Sequence, residues 1–171
     1  FHYVRDASYW SSVKWVHERP NVVVARTFSK IYAMAGMRVG FGVADPATAR
    51  RLRAFQGRNN VSNLSLLAAK ASLEDEEFAR RSLEANNRGK AILYAALDEL
   101  GLEYLPSHTN FVMHRIKGDL ETYIARMRER NIRVGRPFPP MLEYNRISIG
   151  LPEEMEVFVD ALRDFRGKGW L

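Results

Sequence analysis

The sequence predicts an α/β fold, and three observations carry that prediction. Residues 21–25, Asn-Val-Val-Val-Ala, form a continuous apolar run rich in β-branched side chains, the pattern of a parallel strand covered on both faces. Leu93, Ala96, Leu97 and Leu100 recur at helical spacing and meet a natural stop at Gly101. Beyond Leu102 the pattern shortens into strand-like and helix-like units that alternate to the end of the chain.

Taken in order, residues 11–18 read as helical and lead through Arg19-Pro20 into the first strand. A loop containing Lys30 follows, then a second strand over residues 39–43. Asp45-Pro46 is a helix start, with Asp as the cap and Pro in the first turn, and that helix should end near Gly57. Residues 59–63, Asn-Asn-Val-Ser-Asn, form a polar joint. Two helices are expected between Leu64 and Leu100, the second linking two domains. Strands are expected at residues 110–115, 132–134 and 146–149. A helix at 120–130 should bury Leu120, Tyr123, Ile124 and Met127. Pro152-Glu153-Glu154 opens a last helix, acidic in its first turn as the dipole favours, with Met155, Phe158, Val159, Leu162 and Phe165 on its buried face. The expected domains are residues 1–62, a helical connection at 63–101, and a small α/β domain at 102–171.

Composition narrows the function classes. With 171 residues and 46% hydrophobic content the chain can form one domain, or a partial domain plus a small complete one. No apolar run approaches the roughly 20 residues that span a bilayer, and no leader pattern opens the chain, so a cytoplasmic protein without membrane contact is expected. The absence of cysteine excludes disulfides and thiolate metal sites, and His2, His17, His108 and His114 lack metal-ligand spacing, so no metal is implied. The net charge of +6 raises the question of nucleic acid, but the arginines are dispersed. Arg50, Arg51, Arg53 and Arg58 form the densest group. They read as a solvated helix face or as an attractor for a phosphorylated or carboxylated substrate, and no nucleic-acid partner is expected.

The chemistry concentrates in Thr27-Phe-Ser-Lys-Ile-Tyr-Ala-Met-Ala-Gly-Met-Arg-Val-Gly-Phe41. Ligand crevices of open α/β sheets lie at the carboxyl ends of strands, which is where Ser29 and Lys30 fall, with Arg38 eight positions after Lys30. Such an arrangement suits a lysine that holds an aldehyde cofactor carrying a phosphate. A neutral amine attacks a carbonyl, so apolar surface and nearby positive charge favour the reaction, and Phe28, Met34 and Arg38 could supply both. Arg38 offers a planar, always-charged fork for the phosphate and Ser29 a hydroxyl donor. Thr27 could approach the same phosphate or simply end the strand. In residues 145–150, Asn-Arg-Ile-Ser-Ile-Gly, alternation sends Arg146, Ser148 and Gly150 to one side and Ile147 and Ile149 to the other.

The segment Ala25-Arg-Thr-Phe-Ser-Lys-Ile-Tyr-Ala-Met-Ala-Gly-Met-Arg-Val-Gly-Phe41 resembles the cofactor-lysine segment of fold-type I aminotransferases, nearest to the histidinol-phosphate aminotransferase branch. Ser107-His-Thr-Asn-Phe-Val112 and Asn145-Arg-Ile-Ser-Ile-Gly150 resemble two small-domain strands of that family, in the expected order. The resemblance covers nearly all of the chain. It implies the carboxyl-terminal part of a pyridoxal-phosphate-dependent transferase fold, namely the end of the large-domain sheet plus an α/β small domain. Family members are roughly twice this long or more, and Phe1-His-Tyr-Val4 resembles the residues that follow their Asp-Glu-Ala-Tyr segment. The chain is therefore expected to be a carboxyl-terminal piece that is inactive alone.

What the resemblance implies for the site is specific. Lys30 is the catalytic lysine, and Ser29, Lys30, Arg38 and Thr27 bind pyridoxal 5'-phosphate. Arg146 takes the substrate α-carboxylate. Asn110 could line the same cleft or serve as a routine turn residue. Arg136 stands where a second arginine is expected for a substrate phosphate, although Val134-Gly-Arg-Pro-Phe-Pro-Pro140 departs from the usual Val-Arg-Asp arrangement. Tyr32 and Tyr144 could be aromatic walls or packing residues. The implied activity is transfer of an amino group between an amino acid or amino-alcohol phosphate and a 2-oxo acid, in a homodimer. An aromatic aminotransferase, a decarboxylase or lyase of the same fold, and a non-catalytic regulatory domain that senses the cofactor are the alternatives.

Overall fold

The computed structural model describes residues 2–57 and 59–171; Phe1, which opens the segment compared with the family's aspartate region, and Arg58, one of the basic group, lie outside the described residues. Two compact units are formed, one ending at Ser82 and the other covering Leu83–Leu171.

In the first unit the helical segment expected at 11–18 is a shorter 3-10 helix, Ser12–Val16, with the Ser11 hydroxyl accepting from Val13 N. Strand β1 (Val23–Thr27) pairs with β2 (Gly40–Ala44) in antiparallel register, Thr27 opposite Gly40. This corrects the expected parallel strand buried on both faces. β1 alternates between exposed and half-buried residues, because among the described residues it has a single neighbouring strand. The chain between the strands folds back at once, with Phe28 N donating to Val39 O, and that closure sets the antiparallel direction. Gly40 is required by the close approach, since a Cβ there would lie 2.5 Å from Arg26 O. Helix α1 (Pro46–Arg53) starts as expected, with Asp45 accepting from Ala47 N and Thr48 N, but it stops four residues short of Gly57. Arg50, Arg51 and Arg53 are exposed on it. Ser62 caps α2 (Asn63–Glu74), and α3 (Glu76–Glu99) follows after one residue, giving the two expected helices; the division between the units falls inside α3.

The second unit is a three-stranded antiparallel sheet, ordered β3 (Tyr104–Leu105), β4 (Phe111–Arg115), β5 (Tyr144–Ser148), with α4 (Leu120–Glu129) and α5 (Pro152–Gly167). Its core joins Leu93 and Leu97 of α3 to Val112, Ile147, Tyr123, Met127 and the α5 residues Met155, Phe158, Leu162 and Phe165. The expected buried faces of α4 and α5 are thus observed, Ile124 being half-buried. Gly101, at φ +62°, ends α3 by letting Leu102 N reach back to Leu97 O. One element is additional here and one expectation fails. The two-residue strand β3 was not foreseen. Residues 132–134 form no strand, because Ile132 N is committed to Met127 O at the end of α4 and Pro137, Pro139 and Pro140 carry no N–H. Inside the core His114 is fully buried, its ring nitrogens facing Arg115 O and the Tyr123 hydroxyl, and burial lowers its pKa from 6.5 to about 4. Among the described residues no helix is long and apolar enough to cross a membrane.

Candidate functional site

In the first unit the lysine loop is shaped by backbone before any side chain acts. The ladder runs Thr27 opposite Gly40, then Phe28 bonded to Val39 O. Ser29 and Arg38 are the next residues on the two arms beyond that bond, so the two expected phosphate donors stand at the base of one loop. Arg38 sits in the left-handed region at φ 52°, as does Ala33 at φ 54°, conformations that cost of order 1 kcal/mol or more in residues with a Cβ. Side chains from α2 hold the loop in place: the buried Ser65 hydroxyl donates to Met37 O at 2.8 Å, and Ser72 reaches Met34 Sδ at 3.1 Å. Phe28, Met34 and Val39 pack with Ala69 of α2 beneath it.

The polar side of the loop is open. Thr27 and Ser29 hydroxyls are 2.8 Å apart, and Ser29 N donates to Thr27 Oγ1 at 3.0 Å, which fixes both at the carboxyl end of β1. Lys30 is exposed, while Phe28 and Met34 turn inward, so the expected apolar surroundings of the lysine are not realised in this chain. Arg38 is also exposed and donates from Nη1 to Ala35 O at 2.5 Å. Tyr32 is half-buried beside Phe28, with ring centroids 5.2 Å apart.

In the second unit Arg146 lies on β5, half-buried, with its Cζ over the rings of Phe111 and Phe138 at 4.7 Å from each centroid. Its Nε is enclosed and has no hydrogen-bond partner. Arg136 is exposed on the same aromatic residue, Cζ 4.3 Å from the Phe138 ring, and donates to Pro137 O. Gly135 passes beside β5, its N–H donating to Arg146 O at 2.9 Å, and a Cβ there would come within 2.3 Å of that oxygen. Asn110, at the start of β4, accepts from Ile149 N through its backbone carbonyl. Tyr144 is buried and its hydroxyl donates to Glu103 Oε1 at 2.5 Å, so it packs rather than forming an open wall.

Of the residues expected at the site, the fold bonds Thr27 to Ser29 and sets Arg136 and Arg146 on the shared Phe138 ring, while the Arg38 side chain bonds Ala35 O. The sequence missed Ser65, a hydroxyl on the inner face of α2, and the aromatic partners Phe111 and Phe138. Phe138 carried one signal, an aromatic residue within a proline-rich turn.

Comparison with known proteins places these features in a family. Residues 2–162 match the family of aminotransferases of class I and II. Histidinol-phosphate aminotransferase 2 of Ralstonia nicotianae is 42% identical over 165 residues, covering 94% of this chain and 44% of that protein. Histidinol-phosphate aminotransferase 1 of Cupriavidus pinatubonensis is 40% identical, with the same shares covered. A crystal structure from Erwinia carotovora atroseptica, provisionally assigned as a histidinol-phosphate aminotransferase, superimposes with a TM-score of 0.95 at 37% identity, covering 99% of this chain and 49% of that one. The histidinol-phosphate aminotransferase of Sinorhizobium meliloti, solved with pyridoxal-5'-phosphate, gives 0.81 at 27% identity, covering 91% of this chain and 44% of its own. The chain spans about half the length of the curated relatives it matches. With the lysine loop in this setting and the match running through both units, the chain belongs to the aminotransferase class I and II family.

Proposed function

We propose that the full-length polypeptide is a pyridoxal-phosphate-dependent aminotransferase of the histidinol-phosphate type, moving an amino group between an amino acid or amino-alcohol phosphate and a 2-oxo acid. The observation that carries this reading is the closure of the lysine loop, where Phe28 N bonds Val39 O and leaves Ser29 and Arg38 as the next residues on the two arms, with Lys30 directly after Ser29. The donor set fits the cofactor: hydroxyls and a guanidinium for a phosphate, and a primary amine for an aldehyde. Relatives at 36–42% identity that carry this activity support the substrate class.

Each residue then has a task. Ser29 and Arg38 hold the phosphate, and Thr27 orients the Ser29 hydroxyl through their 2.8 Å bond. Bound pyridoxal phosphate supplies a ring that accepts the electrons of a broken Cα bond. Lys30 would be the residue that holds the cofactor's aldehyde end through its primary amine, and the same Nζ would serve as the base for the substrate Cα proton. Arg146 receives a carboxylate, Asn110 lines that position, and Arg136 offers a second guanidinium for a substrate phosphate. In this reading residues 1–62 complete a large cofactor-binding domain, 63–101 connect it, and 102–171 form the small domain of a cytoplasmic homodimer.

The test is borohydride reduction of the full-length polypeptide with pyridoxal phosphate, followed by peptide mapping and assay of Lys30→Ala. A selective adduct on Lys30 and loss of amino transfer by at least about a thousandfold are expected. Scattered labelling, or near-normal turnover by the variant, overturns the reading, and release of carbon dioxide from the donor would point to a decarboxylase instead.

A further inference from the structure

We infer that Phe138 and Phe111 are positioning residues for Arg146, presenting its terminal Nη1 and Nη2 edge to a carboxylate while keeping acidic side chains away; this rests on the carboxylate-binding role proposed for Arg146. Three observations converge. The guanidinium lies over both rings at 4.7 Å, a distance at which a cation is attracted to the ring face. Among the described residues no carboxylate pairs with Arg146. Its Nε is enclosed and unpaired, which removes the side-on pair of donors and leaves the end-on pair.

The physical reason for aromatic partners is competition. A half-buried guanidinium needs compensation for lost hydration, and a carboxylate would supply it by occupying the same N–H fork that the substrate must reach. A ring face compensates the charge from above the plane and leaves the in-plane donors free. Gly135 completes the arrangement, because its N–H bonds Arg146 O and its missing side chain lets the Phe138 segment run close beside β5.

The test uses the full-length polypeptide loaded with pyridoxamine phosphate, the aminated cofactor that a 2-oxo acid discharges to pyridoxal phosphate, and 2-oxoglutarate as the carboxylate probe, comparing Phe138→Leu, Phe138→Tyr and Arg146→Ala. Leucine keeps the bulk and removes the ring, so the Kd and KM for 2-oxoglutarate should rise about tenfold with kcat within about twofold. Tyrosine keeps the ring and should restore both values. Arg146→Ala should abolish binding. Phe111→Leu, on the other ring, gives the same reading if Phe138→Leu does not fold. Binding and turnover by the parent with no change in either leucine variant overturn the positioning role alone, as does a Phe138→Tyr variant as weak as Phe138→Leu. A parent that forms the Lys30 adduct but does not bind 2-oxoglutarate overturns it by removing the carboxylate role of Arg146, and a parent that does neither overturns the functional reading as well.

Discussion

The two units bury their side chains to different depths within this chain, which spans about half the length of its relatives. In the second, Leu93, Leu97, Val112, Met127 and Leu162 are completely excluded from solvent in one continuous core. In the first, the cluster under the lysine loop is small, Phe28, Met34, Val39 and Ala69, while Leu64, Leu66, Leu67 and Leu73 of α2 are 50% or more exposed. The same loop carries Ala33 and Arg38 in left-handed backbone, whereas the second unit's left-handed residue with a Cβ, Asn131, sits at a helix end where that conformation is routine. The strand that carries Arg146 rests on the deep core, whereas the loop that carries Lys30 is tied to α2 by Ser65 and Ser72 at Met37 and Met34. Backbone strain needs such outside support to persist.

The largest effect should come from the deeper core. Phe165→Ala removes a ring that is 1% exposed and packed against Tyr123 and Trp170, and should cost about 3–5 kcal/mol. Met34→Ala, under the loop, should fall at the low end of the range, about 2 kcal/mol, because the shallower site can collapse. Chemical denaturation of the two variants measures both, and equal costs would erase the contrast. Native-state hydrogen exchange sharpens it: amides of β4 and α5 should outlast those of residues 28–39.

How much of this was legible depended on what each signal encodes. The α5 face could be read because Met155, Phe158, Val159, Leu162 and Phe165 repeat with the helical period, and periodicity reports burial directly. The direction of β1's neighbour could not, because an apolar run reports burial and says nothing of pairing; the Phe28–Val39 closure decides it. The lysine loop was legible as a motif, whereas its closure by Phe28 and Val39, with Ser29 and Arg38 next on the two arms, needs the register. Pairing Arg146 with Phe138 was beyond the sequence, since eight positions and a proline turn separate them. The missing strand at 132–134 has the same origin, with its first N–H already taken by the end of α4.

A second prediction separates the units by pH. His114 has its folded pKa lowered from 6.5 to about 4 by burial, so the folded second unit keeps it neutral. The unfolded chain takes up a proton near pH 6.5 and the folded one does not. The stability due to neutral His114 is therefore fully present above pH 6.5, falls as pH drops from 6.5 towards 4, and levels off below. At about 1.4 kcal/mol per pH unit the loss is on the order of 3 kcal/mol. Denaturation midpoints between pH 7 and 4 for the chain and for His114→Gln measure it. A variant that retains the full pH dependence would assign the acid sensitivity to other groups, and the first unit, which lacks a histidine buried to this degree, would become the place to look.

The smallest effect bears most directly on the lysine loop. Ser65 is 3% exposed on α2, and its hydroxyl is the donor that satisfies Met37 O next to Arg38. Ser65→Ala removes a part-buried hydrogen bond from the carbonyl of the exposed Met37, a loss of about 1 kcal/mol, while alanine's better helix propensity returns a few tenths. The net destabilisation should be about 0.5–1 kcal/mol, with amide exchange accelerated at residues 37–39 and unchanged in α5. Should exchange in the loop stay as slow as in the parent, the apolar cluster of Phe28, Met34, Val39 and Ala69 holds the left-handed turn by itself. Packing would then govern both units, and the difference between them would be one of degree.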